Sequence, residues 1–297
     1  MAISEAQLDT WSKQGSITQS KATYDSIKAV LNDPKSPYYQ HTFDIFLQGS
    51  YGNDTNVYAD SDVDIIIRLT SIYYYDDSDL SDQEKTHFQS GFTPGPGYSF
   101  QKFKSEVLAW LRAHYGGSVV EGKKAITIPG NNYRRDADVL VCVNHRHYWS
   151  YQTPTTPHYS EGICFWTRDG GKIVNYPKQH MENCTAKHQN TSNRFKANVR
   201  VLKNMRNTMI EKNYLADGVA PSYFLEGLLS NVPNNLFTYR YSDTFANYMN
   251  WLDTCDRTKL TCANDIHWLL RDGYPTSWTE AKLKEFKSAA VTYWNSQ

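Results

Sequence analysis

Two aspartates one residue apart, Asp62 and Asp64, stand at the head of a short apolar run in the segment DVDIIIRL. A short run rich in β-branched residues is typical of a buried strand. Side chains at positions i and i+2 of a strand share one face, so both carboxylates are expected to point the same way. Carboxylates this close repel each other unless a cation holds them, and Mg²⁺ takes such oxygen ligands. The segment therefore predicts a strand that begins at a metal site.

A Gly49-Ser50 pair follows a first apolar run, residues 43–47, and Asp62 comes twelve positions after Ser50. Glycine has no Cβ, so the backbone can turn tightly here and approach a ligand closely. Ser50 offers a hydroxyl and an N–H, and a short helix beginning here would point free N–H groups at an anion. We therefore expect Gly49 and Ser50 to hold phosphate groups.

The later segment DADVLVCV supplies a third carboxylate, which a site for two metal ions needs. Asp138 directly precedes a nearly continuous apolar run, as Asp64 does, so it is favoured over Asp136 two residues earlier. If this strand lies beside residues 63–69, Asp138 joins Asp62 and Asp64. The alternative is that each aspartate ends a solvated turn, since aspartate is common there. A single aspartate would favour that alternative, but three carboxylates and a Gly-Ser pair favour a functional site.

These motifs resemble those of the polymerase-β-like nucleotidyltransferases, in which a Gly-Ser pair, an Asp-x-Asp pair and a later Asp-Val-Leu-Val strand recur. Two further segments, RFKANVRVLKNMRN (194–207) and APSYFLEGLLSNVP (220–233), are similar to a long basic helix and its neighbouring P-S-Y-x-x-E helix in a narrower group. That group contains cyclic GMP–AMP synthase, oligoadenylate synthase and the bacterial CD-NTases, the cGAS/DncV-like nucleotidyltransferases. The resemblance runs from residue 43 to about residue 233.

The resemblance implies an α+β fold: a polymerase-β-like catalytic core, built on a mixed sheet with helices, and a C-terminal helical domain. It implies template-independent nucleotidyl transfer with two Mg²⁺ ions, or Mn²⁺, at Asp62, Asp64 and Asp138. The substrates would be ATP and/or other nucleoside triphosphates. The product would be a cyclic di- or trinucleotide that activates a downstream effector in antiphage (CBASS) signalling. Two alternatives stay open: transfer to an RNA end, a small molecule or a protein, and a degenerate nucleotide-binding protein.

The resemblance also assigns roles to four further residues. Lys203, together with Arg200, would neutralise the triphosphate, although a basic helical stripe of this kind is more often a solvated face. Ser222 would contact the nucleotide, and Tyr223 would stack on a base or pack nearby. Alternatively, Ser222 caps its helix and Tyr223 belongs to the core. Glu226 is expected to be structural.

Composition limits the partners. Lys plus Arg equal Asp plus Glu at 31 each, whereas a protein that coats nucleic acid is usually basic; no stable nucleic-acid polymer is therefore expected as a partner. No run approaches the ~20 apolar residues of a membrane span, and the N-terminus lacks the apolar core of a signal peptide. The expected location is the cytoplasm, with no membrane partner.

The cysteines are five in number and do not suggest a disulfide framework. His180, Cys184 and His188 follow one another at i, i+4 and i+8, so they would share a face of one helix. Zinc is conceivable there. A chance cluster is the preferred interpretation, because no paired C-x-x-C motif is present.

Periodicity and turn residues predict the elements. Strands are expected at 43–48, 62–69, 118–121, 124–128 and 134–144, and helices at 4–31, 98–115, 177–188, 193–213, 221–230, 241–253 and 278–295. Residues 70–97 are predicted to be a loop, either a lid over the nucleotide or a solvated insertion, and residues 145–175 to be irregular. The expected domains are 1–165, catalytic with an N-terminal helix, and 166–297, helical and nucleotide-binding.

Overall fold

The computed structural model describes residues 3–15, 17–57, 62–91 and 97–297. The chain divides into two compact units. One, here called the sheet unit, consists of the described residues within 18–48 and 62–176. The other, here called the helical unit, consists of those within 1–17, 49–61 and 177–297. The functional division into domains 1–165 and 166–297 stays a prediction.

The sheet unit is built on one mixed sheet. Its described strands are β1 (Phe43–Leu47), β2 (Val63–Asp76), β3 (Val120–Glu121), β4 (Ile126–Ile128), β5 (Ala137–Tyr151), β6 (Pro157–Trp166) and β7 (Lys172–Asn175). They are ordered β1-β2-β5-β4-β3, while β6 pairs with β5 and β7 with β6. β2 and β5 run parallel, and the other pairs are antiparallel. A mixed sheet with separate helices confirms the predicted α+β class.

The helices of the sheet unit are α2 (Thr18–Leu31), α4 (Asp82–Gly91) and α5 (Phe100–Tyr115). α5 packs on β5 and buries Phe103, Val107 and Leu111, which recur at helical spacing on one face. The helix begins where the Ser99 hydroxyl accepts a hydrogen bond from an N–H of its first turn. It ends at Gly116, whose φ of +82° suits glycine.

A buried arginine ties four strands of this sheet together. Arg68 of β2 makes a two-pronged contact with Asp44 of β1, at 2.9 and 2.6 Å. Its other terminal nitrogen donates to Asn144 of β5 at 2.8 Å and to Glu161 of β6 at 2.7 Å. The planar guanidinium can satisfy several acceptors at once, so its charge is compensated inside the sheet.

Two predictions about this unit are wrong. Residues 70–97 are not a loop, because β2 continues to Asp76 beside β5 after an irregularity between Leu69 and Tyr73, and α4 follows. The hydroxyl of Ser81 accepts from the N–H of Glu84, whose carboxylate accepts from the Ser81 N–H. These reciprocal hydrogen bonds form a capping box, which is a sequence signal for the start of a helix. The acidic, tyrosine-rich composition of the segment had favoured a loop instead. Most of the predicted GFTPGPG breaker, residues 92–96, lies outside the described residues.

Residues 145–175 are not irregular either. β5 extends to Tyr151 and pairs with β6, and β7 completes the antiparallel layer. The extension is held by aromatic contacts, in which Phe88 of α4 packs against Tyr148 and Tyr151. Its strands lack a clear alternation of apolar and polar residues, because aromatic, histidine and arginine side chains alternate there instead.

The helical unit contains α1 (Glu5–Ser12), α3 (Gly49–Gly52), α6 (Pro177–Asn190), α7 (Phe195–Glu211), α8 (Ser222–Asn231), α9 (Tyr241–Thr254) and α10 (Glu280–Ser296). The five predicted C-terminal helices are confirmed. The single helix predicted over 4–31 is wrong, because α1 ends at Ser12 and α2 begins at Thr18. The Ser4 hydroxyl caps α1 by accepting from the Gln7 N–H. α7 is central and buries Val199, Leu202 and Met205.

No helix in the described part of the chain is both long and apolar enough to cross a lipid bilayer.

Candidate active site

Strand register brings two of the predicted carboxylates side by side in the sheet unit. β2 and β5 are parallel, and Asp64 lies opposite Asp138 in their register. Residues aligned in neighbouring parallel strands project to the same face, about 4.8 Å apart in backbone spacing. Both side chains are half-buried, whereas Val63, Ile65 and Val139, on the alternate positions, are fully buried. Asp62, two residues before Asp64, is exposed.

Asp138 is oriented by a neighbouring strand. Thr127 of β4 lies opposite it in the register, and the Thr127 hydroxyl donates to Asp138 Oδ1 at 2.7 Å. Asp136 makes a different contact. Its Oδ1 accepts from the Gly130 N–H at 2.6 Å, and this hydrogen bond closes the turn before β5. The preference for Asp138 over Asp136 therefore agrees with the geometry. Sequence reasoning missed Thr127, although the I-T-I alternation of β4 pointed to a polar residue on that face.

These donors suit a hard divalent cation. Asp62, Asp64 and Asp138 offer only carboxylate oxygens, which Mg²⁺ and Mn²⁺ prefer over nitrogen or sulfur. The cluster stands at the start of two parallel strands, so the backbone fixes the spacing between Asp64 and Asp138. The ligand role of the three residues stays a prediction.

In the helical unit, Gly49 and Ser50 form one tight turn. Gly49 has a φ of +64°, a conformation that glycine adopts without strain. Its carbonyl accepts from the N–H of Asn53 at 3.1 Å, and the Ser50 carbonyl accepts from the N–H of Thr55 at 2.9 Å. α3 is only four residues long, so it lacks the dipole of a longer helix. Phosphate binding by this turn stays a prediction.

The basic stripe of α7 contacts the segment that follows this turn. Lys196 Nζ lies 3.0 Å from a carboxylate oxygen of Asp54, and Arg200 donates to the Asp54 carbonyl at 2.6 Å. Lys203 is fully buried and donates to the Thr55 carbonyl at 3.0 Å. The stripe is therefore not a solvated face. The predicted roles of Lys203 and Arg200 at a triphosphate remain untested.

Ser222 and Tyr223 open α8. Ser222 does not cap the helix, because Pro221 occupies that position, and its hydroxyl accepts from Arg206 at 3.3 Å. Tyr223 stacks on His180 with ring centroids 5.1 Å apart, and its hydroxyl accepts from Asn264 at 3.1 Å. Burial raises the pKa of Tyr223, so the phenol stays neutral. The nucleotide contacts expected of both residues stay predictions.

Glu226 of α8 is the centre of a buried polar cluster. Only 3% exposed, its carboxylate accepts from Asn53 Nδ2 at 2.9 Å, Thr55 Oγ1 at 2.5 Å and His180 Nε2 at 2.7 Å. Burial opposes ionisation, but the hydrogen bond and charge of His180, with the charge of Lys203, more than offset it and hold the pKa of Glu226 below its ordinary value. The carboxylate is therefore ionised at neutral pH.

α6 also contains the set His180, Cys184 and His188, for which the sequence makes zinc conceivable. The ligand atoms of His180, Cys184 and Glu226 lie within 4.8 Å of one another, and all three residues are buried. His188 does not join them, because its Nδ1 accepts from the Lys196 N–H. Two ligands of one tetrahedral Zn²⁺ stand about 3.3 Å apart, whereas His180 and Glu226 meet at 2.7 Å. The geometry is that of a hydrogen bond rather than of shared coordination.

Glu226 makes the stability depend on pH in the acidic range. Its folded pKa lies below the ordinary value of 4.5, so its contribution is complete above that pH and is lost as the pH falls through the folded pKa. Near pH 7, we expect Glu226→Gln to lower the free energy of unfolding by about 3–5 kcal/mol, because Lys203 loses a counter-charge and the donors around the carboxylate lose an ionised acceptor. The difference should shrink as the pH falls below 4.5 and through the folded pKa. Urea unfolding at several pH values measures it, and a difference that persists unchanged would contradict the assignment.

Comparisons with known proteins agree with this fold. The family model for the cGAS/DncV-like nucleotidyltransferase C-terminal helical domain matches residues 182–295. The chain is 38% identical to a cyclic UMP-AMP synthase of Rhodothermus marinus over 96% of both chains. It is 33% identical to the cyclic nucleotide synthase CdnE01 of Staphylococcus haemolyticus over 99% of both.

Solved structures give the same result. The Rhodothermus marinus CdnE c-UMP-AMP synthase, determined with Apcpp and Upnpp, has a TM-score of 0.88 at 37% identity and covers 99% of this chain and 97% of its own. An Elizabethkingia meningoseptica CdnE synthase, determined with GTP and Apcpp, has a TM-score of 0.79 at 29% identity, with 98% of each chain covered. Together with its mixed sheet, these matches define the chain as a nucleotidyltransferase. Within that class, it belongs to the cGAS/DncV-like nucleotidyltransferases.

Proposed function

We propose that the chain joins nucleoside triphosphates, without a template, into a cyclic di- or trinucleotide. The observation that carries the proposal is the parallel register that sets Asp64 beside Asp138, because phosphodiester formation needs a fixed cluster of carboxylates. The relatives named as cyclic nucleotide synthases, similar over nearly the whole chain, support the product class.

Asp62, Asp64 and Asp138 would hold two divalent cations, Mg²⁺ or Mn²⁺. Bound there, the cations neutralise triphosphate charge and make the acceptor hydroxyl easier to deprotonate. The acceptor oxygen forms a bond to the α-phosphorus while the bond to pyrophosphate breaks, and the hydroxyl proton is released. Within the sheet unit, Thr127 keeps Asp138 turned to the shared face of the strands. The chain's part is chiefly positioning and charge compensation.

The helical unit would supply the contacts to the nucleotide. Gly49 and Ser50 bind the phosphate tail through backbone and hydroxyl groups, and Lys203 with Arg200 balances its charge. Ser222 and Tyr223 contact the nucleoside, where an aromatic face adds affinity with little base selectivity. ATP and/or other nucleoside triphosphates are the substrates, and the product acts on a downstream effector in antiphage signalling in the cytoplasm.

Mass spectrometry of the product tests the proposal. Purified protein is incubated with all four ribonucleoside triphosphates and Mg²⁺, and the reaction is then treated with phosphatase. We expect a species that resists phosphatase, because cyclisation leaves no terminal phosphate. A product from which phosphatase removes phosphate would indicate another acceptor. Transfer of a radiolabelled nucleotide to an RNA or a protein added to the reaction would also indicate another acceptor. Binding of a nonhydrolysable triphosphate without release of pyrophosphate would indicate a degenerate enzyme.

A further inference from the structure

The segment 53–55 is held by three helices of its own unit. Glu226 of α8 binds the side chains of Asn53 and Thr55, and His180 of α6 binds the same carboxylate. α7 contacts the segment separately, through Lys203 at the Thr55 carbonyl and through two other basic side chains at residue 54. Asn53 and Thr55 are buried, so these contacts exclude water.

The two residues that bind Glu226 also bind the Gly49-Ser50 turn. Asn53 donates its side chain to Glu226 and its backbone N–H to the Gly49 carbonyl. Thr55 donates its hydroxyl to Glu226 and its backbone N–H to the Ser50 carbonyl. Each residue thus links one member of the turn to the same carboxylate. Between them, Asp54 has a positive φ of 55°, a left-handed conformation that aspartate tolerates better than most non-glycine residues.

The charges show why a carboxylate is suited to this position. An ionised acceptor strengthens the bonds from Asn53 and Thr55 beyond those to a neutral oxygen. His180 contributes a further donor, and its ring is stacked on Tyr223, which limits its rotation. α7 also holds the segment through atoms outside the Glu226 hydrogen bonds, namely the Asp54 carboxylate and the Asp54 and Thr55 carbonyls, so the segment stays attached when one of the Glu226 bonds is removed. Loss of one hydrogen bond to Glu226 should therefore make the Gly49-Ser50 turn more mobile while the helical unit stays folded.

We propose that Glu226, with His180 behind it, is a positioning residue that sets the conformation of the Gly49-Ser50 turn through Asn53 and Thr55. The inference rests on the proposed function, because it takes this turn to be the phosphate-binding element. Glu226 does not touch the nucleotide. It acts through Asn53 and Thr55, so its loss affects the binding of the triphosphate and not the identity of the product.

A pair of substitutions at Thr55 tests the proposal without removing a buried charge. Thr55→Val keeps the shape but removes the hydroxyl, and Thr55→Ser retains it. We expect Thr55→Val to raise the KM for Mg²⁺-ATP about tenfold, as the loss of one charge-assisted hydrogen bond suggests. Thr55→Ser should stay within about threefold of the wild type. Kinetics are recorded well below the midpoint of thermal unfolding, so that all variants are folded.

Thr244→Val serves as the matched control. Thr244 is an equally buried threonine of the helical unit, on α9, with hydrogen bonds to residues 238 and 240 and none to segment 53–55. Its replacement should lower thermal stability and leave the KM unchanged. The proposal is overturned if Thr55→Val leaves KM unchanged, or if Thr55→Val and Thr55→Ser raise it equally.

Failure of the proposed function would be recognised separately. If the wild type makes no nucleotide product, the same variants are compared by the Kd of Mg²⁺ with a nonhydrolysable ATP analogue, measured by calorimetry. A Kd that rises about tenfold in Thr55→Val and is restored in Thr55→Ser supports the positioning role in a binding protein. An unchanged Kd, or no binding by the wild type, rejects it.

Discussion

Asp64→Asn abolishes nucleotide incorporation while the fold persists: this is the largest effect that we expect from any single substitution. The amide has nearly the same shape as the carboxylate but carries no charge, so it holds a divalent cation poorly. Product formation should fall by about 10³-fold or more, the scale on which one lost electrostatic contact in a catalytic site acts. Incubation with radiolabelled nucleoside triphosphates and Mg²⁺ measures the product, and circular dichroism monitors the fold.

Asp76→Asn is the control for Asp64→Asn, because Asp76 ends the same strand β2 and accepts a hydrogen bond from the Ser78 N–H. An amide oxygen can accept the same bond, so activity should stay within about threefold of the wild type. Equal amounts of product from Asp64→Asn and the wild type would refute the metal assignment. Equal losses in both variants would point to damage along β2 rather than to a lost ligand.

Asp138→Asn, compared with Asp136→Asn, tests the second strand. We expect Asp138→Asn to reduce product formation by about 10²-fold or more, because the third negative charge is lost while the amide oxygen can still accept from Thr127. Asp136→Asn should act within about threefold of the wild type, since its oxygen can still accept from the Gly130 N–H.

Asp136 and Asp138 share a strand face in an extended chain, so the preference for Asp138 needs a direct test. Initial rates at several Mg²⁺ concentrations distinguish a ligand from a structural residue. A ligand's replacement raises the Mg²⁺ concentration needed for half-maximal rate, whereas a structural replacement lowers the rate at every concentration. If Asp136→Asn proves the more severe variant, the assignment of the third carboxylate is wrong.

Much of the fold was predictable because its signals are local. The helices α6 to α10 follow from residue spacing and turn signals, and the beginnings of β2 and β5 follow from β-branched apolar runs that are typical of buried strands. The layer 145–175 and the end of β2 were missed for a physical reason. Their strands are stabilised by aromatic and arginine packing across the sheet, as between Arg146 and the rings of Tyr73 and Tyr159, and not by a two-residue alternation.

The candidate site was predictable in its carboxylates but not in their supports. Asp62 and Asp64 lie two positions apart, so strand geometry alone predicts a common face. No sequence signal indicated what Thr127 and His180 bind, because strand register pairs Thr127 with Asp138 and helix packing brings His180 to Glu226. Glu226 was expected to be structural, but the sequence did not indicate its partners. The helix packing shows that it binds Asn53 and Thr55, whose N–H groups donate to the carbonyls of the Gly49-Ser50 turn.

By itself, the sequence determined the beginnings of the strands that carry the aspartates, the helices of the C-terminal half and the identity of the acidic side chains, since each depends on residues within a few positions of one another. The tertiary structure decided which carboxylate stands opposite Asp64, and what the basic side chains of α7 touch. These depend on strand register and helix packing, which bring together residues with long stretches of chain between them. No local pattern encodes such a pairing, because its energy arises only when both segments are buried together.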